Sequence, residues 1–228
     1  MSESATISGP VVRTSLAELV YQRILDAILS GRLPSGSEII ASDLADELQV
    51  SPSPVREALL KLASDGLVQN ASNRRATVVS FSREDIRGVF EVRRLLECGA
   101  AELAATVITP AQLAELRATA EACSALFGDT ARKREMLDLD NRFHLLIAEA
   151  AGNESLKSEI LRFNRRVRVI QWLRLSPAKM RVAFDEHLAI LAGLEAHDPE
   201  VARHAMSRHI REALTFVLEG LPETEPAA

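Results

Sequence analysis

The sequence predicts a mainly α-helical protein, made of an N-terminal winged helix-turn-helix and a C-terminal all-α helical bundle. The first part is predicted from three short helical patterns followed by two β-prone segments that a polar turn joins. The second is predicted from residues 81–220, where apolar residues recur at helical spacing and no strand pattern occurs. We assign the helix-turn-helix to residues 13–80 and expect a flexible tail at 1–12 and a frayed tail at 221–228.

The three predicted N-terminal helices each have a start or stop signal. Ser15 precedes a glutamate at capping-box spacing and begins the first helix, which Gly31 ends. Ser42 is a candidate cap for a short second helix. Ser51 precedes Pro52, whose missing N–H costs nothing at the first helical position, and together they begin the third helix. A hairpin of residues 67–69 and 76–79 completes the winged motif.

The C-terminal part contains six helical segments separated by capping residues and prolines. The first begins at Ser82, which has capping-box spacing to Asp85, and the second begins at Thr109-Pro110. The predicted helices span about 82–107, 109–127, 130–150, 153–175, 177–195 and 198–219. This order of elements predicts a bundle without a sheet.

Composition and charge limit the class of protein. The 228 residues are 47% hydrophobic and 26% charged, and no apolar run approaches the roughly 20 residues of a membrane helix. The N-terminus lacks the pattern of a signal peptide, and Cys98 and Cys123 form no CxxC pair, so we expect a cytoplasmic protein with free thiols. The net charge of −5 argues mildly against nucleic-acid binding, so any DNA contact must be local.

Residues 50–59 are typical of a turn followed by a DNA-recognition helix. A helix-turn-helix places the first residues of its second helix in the major groove, which here are Ser51, Pro52, Ser53 and Arg56. The two serines can donate to phosphates at the positive end of the helix. Arg56 can make a bidentate contact with guanine, and its alternative role is a surface ion pair with a neighbouring acid.

Three further arginines are candidate DNA contacts. Arg32 follows the first helix and can bind a phosphate, or it can interact with the negative end of the helix dipole instead. Arg74 and Arg75 lie at the tip of the predicted wing, where an arginine can enter the minor groove.

A group of polar residues lies on apolar helical faces of the C-terminal part. Asp140 and His144 are one turn apart on one helix, and His187 and His209 each have apolar neighbours at helical spacing on two others. Because polar side chains are costly to bury alone, the group indicates a shared metal ion. Nitrogen and carboxylate donors suit Zn, Ni, Mn or Fe, with Zn slightly favoured. The alternative is three histidines with separate partners in the core.

Arg93 lies at the centre of another apolar face, and a buried arginine needs a partner. One interpretation is an internal salt bridge with Glu97, one turn later. The other is that Arg93 holds the carboxylate of a small organic acid whose remaining oxygens reach the metal. The two roles are compatible. His197, at a helix break, and His204, on a polar face, are not expected to be ligands.

Several segments resemble one family of bacterial proteins. Residues 28–36 (Ile-Leu-Ser-Gly-Arg-Leu-Pro-Ser-Gly), 50–51, 54–59 and 62–68 resemble the winged-helix head of GntR-type transcription regulators. Residues 91–97, 143–144 and 186–188 resemble the all-helical FCD effector domain of one branch of that family. This chain departs from the pattern at Pro52, where members often have arginine, and at the wing tip, where Asn73-Arg74-Arg75 replaces Asn-Arg-Gly.

The resemblance implies a regulator, expected to be a repressor, that binds a palindromic double-stranded DNA operator as a homodimer and responds to a small organic acid. It also implies a metal site, because the order and spacing of the three histidines match metal-binding members. No membrane partner is expected. Two alternatives stay open: a metal-dependent enzyme, which would need an open coordination position beside a general acid or base, and a sensor for which the metal ion is the signal.

Overall fold

The computed structural model of the chain describes residues 15–71, 75–126, 129–174 and 180–219, so both predicted tails lie outside the described residues. The chain divides into two compact units, Met1–Val78 and Val79–Ala228. The first is a small mixed unit and the second is entirely helical in its described residues. The predicted fold class is confirmed. Among the described residues, no helix has the length and apolar character needed to cross a membrane.

The N-terminal unit has three helices and a three-stranded sheet. In chain order these are α1 (Leu16–Leu29), β1 (Glu38–Ile40), α2 (Ala41–Glu47), α3 (Pro52–Ser64), β2 (Val68–Gln69) and β3 (Arg75–Val78). The sheet is antiparallel with strand order β1-β3-β2. Its register pairs Glu38 with Thr77 and Val68 with Val78. This is a winged helix-turn-helix in which β3 of the wing also pairs with β1, the strand that precedes α2.

Two details of this unit differ from the sequence prediction. Residues 38–40, for which the sequence predicted no element, form β1 because β3 offers them a backbone partner. As a result α2 begins at Ala41 with Ile40 at its N-cap, and Ser42 lies inside the helix, where it donates to Asp43 instead. The Ser15 cap and the stop at Gly31, which has φ +74°, are as predicted. A buried hydrogen bond of 2.8 Å from the Tyr21 hydroxyl to Asp65 links α1 to the end of α3.

The C-terminal unit contains six helices in its described residues. They are α4 (Arg83–Val107), α5 (Pro110–Ser124), α6 (Lys133–Ala150), α7 (Glu154–Arg174), α8 (Met180–Glu195) and α9 (Pro199–Glu219), with a 3-10 turn at Thr130–Arg132 before α6. Both predicted caps are present: Ser82 and Asp85 form a reciprocal capping box, and so do Thr109 and Gln112. Each cap satisfies backbone N–H groups that the first turn leaves free.

The long helix α4 packs most extensively against α9, and α9 also packs along α8. Helices α8 and α9 approach closely at Gly193, where a Cβ atom would lie 2.6 Å from the backbone nitrogen of Ala202. Helix α6 contacts α4, α5 and α7. Among the described residues, every helix of the unit except α5 contributes buried polar side chains to the interior.

Candidate metal centre and DNA-contact surface

The four predicted metal ligands come together in the interior of the C-terminal unit. Helix α6 supplies Asp140 and His144, α8 supplies His187, and α9 supplies His209. One donor atom from each of the four residues lies within 4.8 Å of the donor atoms of the other three. Each of the four residues is at most 3% exposed. The four side chains point inward because each helix packs its apolar face against the core, and each of these polar residues lies on such a face.

His144 and His209 present equivalent atoms to each other. Their rings stack with centroids 5.0 Å apart, and their Nε2 atoms are 3.1 Å apart. On the outer side, His209 Nδ1 lies 2.9 Å from Glu186 Oε2. His144 Nδ1 lies 2.7 Å from Glu97 Oε2. Two lone pairs at 3.1 Å repel, so the facing Nε2 atoms require a shared proton or a cation between them.

His187 and Asp140 complete the group. His187 Nε2 lies 3.5 Å from Asp140 Oδ1, and this buried nitrogen has no hydrogen-bond partner among the described residues. The ring of His187 is held by Phe143, which stacks on it with centroids 4.2 Å apart. The other oxygen of Asp140 accepts from Gln171 Nε2 at 3.4 Å. An unpartnered, fully buried imidazole nitrogen beside a carboxylate is the arrangement that a cation would satisfy.

The protonation states suit a cation. Burial, and next the charge of nearby His144, lower the pKa of His209 to about 3. Burial also holds the pKa of His187 well below its ordinary value, with His209 as the next cause. Burial raises the pKa of Asp140, but the surrounding histidines and Arg93 outweigh it and the net shift is downward. At neutral pH His187 and His209 are therefore uncharged and Asp140 is ionised, the ligand forms that divalent transition metals bind.

Arg93 is buried on α4 with its predicted partner. Its Nε donates to Glu97 Oε1 at 3.0 Å, and both side chains are 2% exposed. Burial opposes the ionised form of Glu97, yet Arg93 and His144 bring its pKa down to about 2. The Nη1 atom of Arg93 is buried without a hydrogen-bond partner among the described residues, as is Oδ1 of Asn164 on α7. These two atoms add one donor and one acceptor to the unpartnered polar atoms inside the described part of the unit.

Sequence reasoning missed Glu186, Asn164 and Gln171. The last two lie seven residues apart on the buried face of α7, with Val167 between them, and that helical spacing is a signal that could have identified them. Glu186 precedes His187, is 7% exposed and lies against His209 of α9. The two excluded histidines lie away from the cluster: His197 Nδ1 is 2.8 Å from the Ala105 carbonyl oxygen, and His204 is 68% exposed.

The N-terminal unit carries the candidate DNA-contact residues at the start of α3. Ser51 is the N-cap of α3 without a side-chain capping bond, and Pro52 is its first residue. Ser53 donates to Glu57 at 3.3 Å. Arg56 is exposed and makes no ion pair among the described residues, so the alternative of a surface pair is not realised there. The first turn of α3 has no acidic residue to repel a phosphate.

The other arginines are differently placed. Arg32 is exposed, and its Nε donates to Ser30 Oγ at 3.1 Å. Arg75 is the first residue of β3 and pairs with Glu38 at 3.0 Å across the sheet, with 63% of its side chain exposed. Such an exposed pair contributes little and can exchange for a phosphate. Arg74 lies outside the described residues.

Comparison with known proteins gives a consistent result. The model of bacterial regulatory proteins of the gntR family matches residues 8–79, and the FCD domain model matches residues 88–212. A "probable D-xylose utilization operon transcriptional repressor" of Paenarthrobacter nicotinovorans is 30% identical over 89% of each chain. The transcriptional repressor RspR of Escherichia coli K12 is 27% identical over 85% of each chain. The solved structure of E. coli McbR/YncC has a TM-score of 0.77 at 25% identity, covering 91% of this chain and 99% of that chain.

Proposed function

The chain belongs to the GntR family of bacterial regulatory proteins and carries an FCD domain, and from this premise we propose that it is a metal-containing repressor controlled by a small organic acid. Transcription regulation and DNA binding follow from the family, whose members are not enzymes, so the enzyme alternative has no support. Repression is inferred from relatives named as repressors, and a cytoplasmic location from access to the chromosome. The observation that carries the finer proposal is the buried Asp140, His144, His187 and His209 group.

A bound divalent transition metal is proposed because three imidazoles and one carboxylate surround a common point, with one nitrogen unpartnered among the described residues. When bound, the ion would supply a fixed positive charge inside the unit. Elemental analysis with native mass spectrometry of the purified protein tests this. We expect one Zn, Ni, Mn or Fe per chain, and a loss of metal in His187→Ala. A full metal complement in His187→Ala would refute the ligand assignment.

A small carboxylate is the proposed effector because Arg93 presents a buried Nη1 atom without a partner. Arg93→Lys keeps the charge that Glu97 needs but removes the planar fork that matches a carboxylate. We expect this variant to bind operator DNA normally and to lose its response to the acid, as measured by DNA-binding titrations. A sensor for which the ion is itself the signal makes a different prediction: removal of metal with a chelator would then change operator affinity in protein that stays folded.

Operator binding is proposed to use the start of α3, because Arg56 is exposed and not paired among the described residues. Arg56→Ala should weaken operator binding by about 1–3 kcal/mol. Arg23→Ala, which removes an exposed arginine of α1, is the matched control and should bind like the wild type. Equal affinity of both variants would remove α3 from the interface.

A homodimer is proposed because two heads are needed for the two half-sites of a palindrome. Helix α4 offers the surface: Leu95, Leu103 and Val107 are 62%, 42% and 57% exposed, and they follow one another at intervals of one to two turns. Elsewhere in the described C-terminal unit, large exposed apolar residues occur singly on a helix. Leu95→Glu with Leu103→Glu should give a monomer by light scattering, whereas Val201→Glu on α9 should not. A dimeric double variant would exclude this face.

A further inference from the structure

Two glutamates lie against the outer nitrogens of two of the proposed ligands. Glu186 of α8 contacts Nδ1 of His209 on α9, at 2.9 Å, and Glu97 of α4 contacts Nδ1 of His144 on α6, at 2.7 Å. In each case the carboxylate comes from a different helix from the imidazole. We propose that Glu97 and Glu186 are positioning residues that orient these two imidazoles toward the ion, an inference that rests on the proposed metal site.

The physical reason is the choice between two nitrogens that every histidine ligand must make. A metal-bound imidazole carries its proton on the nitrogen that the metal does not use. A carboxylate beside Nδ1 accepts that proton and leaves the lone pair on Nε2. Because the Nε2 atoms of His144 and His209 are 3.1 Å apart, rings fixed in this way direct both lone pairs at one point. The two glutamates thus hold an arrangement in which the facing lone pairs repel unless a cation or a shared proton lies between them.

The third imidazole provides a contrast inside the same site. His187 is oriented by the face of Phe143, at a centroid distance of 4.2 Å and an interplanar angle of 21°. Stacking fixes the plane of a ring but does not select which nitrogen carries the proton. Replacing a glutamate should therefore disturb its own histidine and leave His187 unchanged.

The two glutamates differ in their other contacts and in their exposure. Glu97 is 2% exposed and also accepts from Arg93, so replacing it leaves a buried guanidinium unpaired. Glu186 lies nearer the surface, at 7% exposure. Glu186 is therefore the better residue to vary, and Glu97 is better tested in the wild-type protein.

The first experiment measures the zinc affinity of the full chain by competition with a chromophoric chelator. Glu186→Ala should bind Zn²⁺ about 10–100-fold more weakly than the wild type. Glu186→Gln, which keeps an accepting oxygen without the charge, should fall between them. Asp185→Ala, which removes the exposed carboxylate next in sequence, is the control and should match the wild type. The melting temperature of each metal-free protein separates positioning, which leaves it nearly unchanged, from a structural role, which lowers it.

The second experiment records the imidazole N–H signals of zinc-loaded protein by NMR. In the wild type, His144 and His209 should both carry a proton on Nδ1, and Glu186→Ala should lose protection of the His209 signal alone. Unchanged zinc affinity in Glu186→Ala, or a proton on Nε2 of either ring in the loaded wild type, would overturn the inference. Wild-type protein that takes up neither Zn²⁺ nor Ni²⁺ would instead overturn the proposed metal site, so the two failures are distinguishable.

Discussion

Replacing Gly193 by alanine should weaken the contact between the helices that carry His187 and His209. A Cβ atom at this position would lie 2.6 Å from the Ala202 nitrogen, 2.8 Å from Ala202 Cα and 3.1 Å from the Val201 carbonyl carbon. Carbon contacts are normally about 3.5–4.0 Å. All three neighbours are backbone atoms, so no side-chain rotation relieves the overlap, and α8 must move away from α9.

The expected cost follows from two opposing contributions. Overpacking a close contact costs about 1–3 kcal/mol, and the severity of this overlap places it in the upper half of that range. Alanine in place of a helical glycine returns up to about 1 kcal/mol. The net loss of about 1–2 kcal/mol corresponds to a fall in melting temperature of about 2–8 °C for a unit of this size. Moving the two helices apart should also reduce the stabilisation that added Zn²⁺ gives.

Thermal unfolding followed by circular dichroism, with chelator and then with Zn²⁺, measures both effects. Gly88→Ala is the matched control, because Gly88 is also helical, on α4, and a Cβ atom there has no neighbour within 4 Å. That variant should be as stable as the wild type or more stable. If Gly193→Ala melted at or above the temperature of Gly88→Ala, the close approach of α8 and α9 would be wrong.

Three further outcomes are expected. Burial lowers the pKa of His187 and brings that of His209 to about 3, so the unfolded chain takes up protons below about pH 6.5 that the folded unit does not. Metal-free protein should therefore lose about 1 kcal/mol of folding stability per histidine per pH unit on acidification, partly offset by Glu186 with its pKa of about 7. A urea midpoint that rises from about pH 6.5 to 5.5 would contradict this expectation. Tyr21→Phe should cost about 1–3 kcal/mol by removing the buried bond to Asp65, in urea unfolding; an unchanged midpoint would show that the bond contributes nothing. Ser82→Ala should lower the free energy of unfolding by about 1 kcal/mol through loss of the α4 N-cap. Ser124→Ala, at the C-terminal end of α5, should lower it less.

Sequence reasoning identified the helices of the C-terminal unit well, because caps and prolines mark their ends and each has a long apolar face. The same faces identified Asp140 and the three histidines, since the direction of a side chain from its helix is fixed by local geometry. Strand β1 escaped prediction for the opposite reason. Three residues are too few for a period of two, and Glu38–Ile40 become a strand only through pairing with β3, which follows α3 in the chain.

The outer contacts of the site were beyond sequence reasoning for a related cause. Glu186 and His209 are 23 positions apart on different helices. Their contact depends on how α8 and α9 rotate against each other, and the apolar pattern of one helix does not specify that rotation. A residue such as Glu186, at the edge of an apolar face, is exposed or buried according to the neighbouring helix. The burial of Asp140 and the three histidines was therefore predictable, whereas the contact between Glu186 and His209 was not.

Arg93, Glu97 and His144 form a chain of contacts with consequences for regulation. Glu97 accepts from Arg93 Nε at 3.0 Å through one oxygen and contacts His144 Nδ1 at 2.7 Å through the other. An acid bound to the free Nη1 of Arg93 would compete with Glu97 for the positive charge of the guanidinium. Glu97 would then attract the Nδ1 proton of His144 more strongly and make Nε2 a better metal donor. Under the proposed function, effector and ion should therefore each tighten the binding of the other by the same factor. Equal effector affinity in metal-free and metal-loaded protein would separate Glu97 from the coupling.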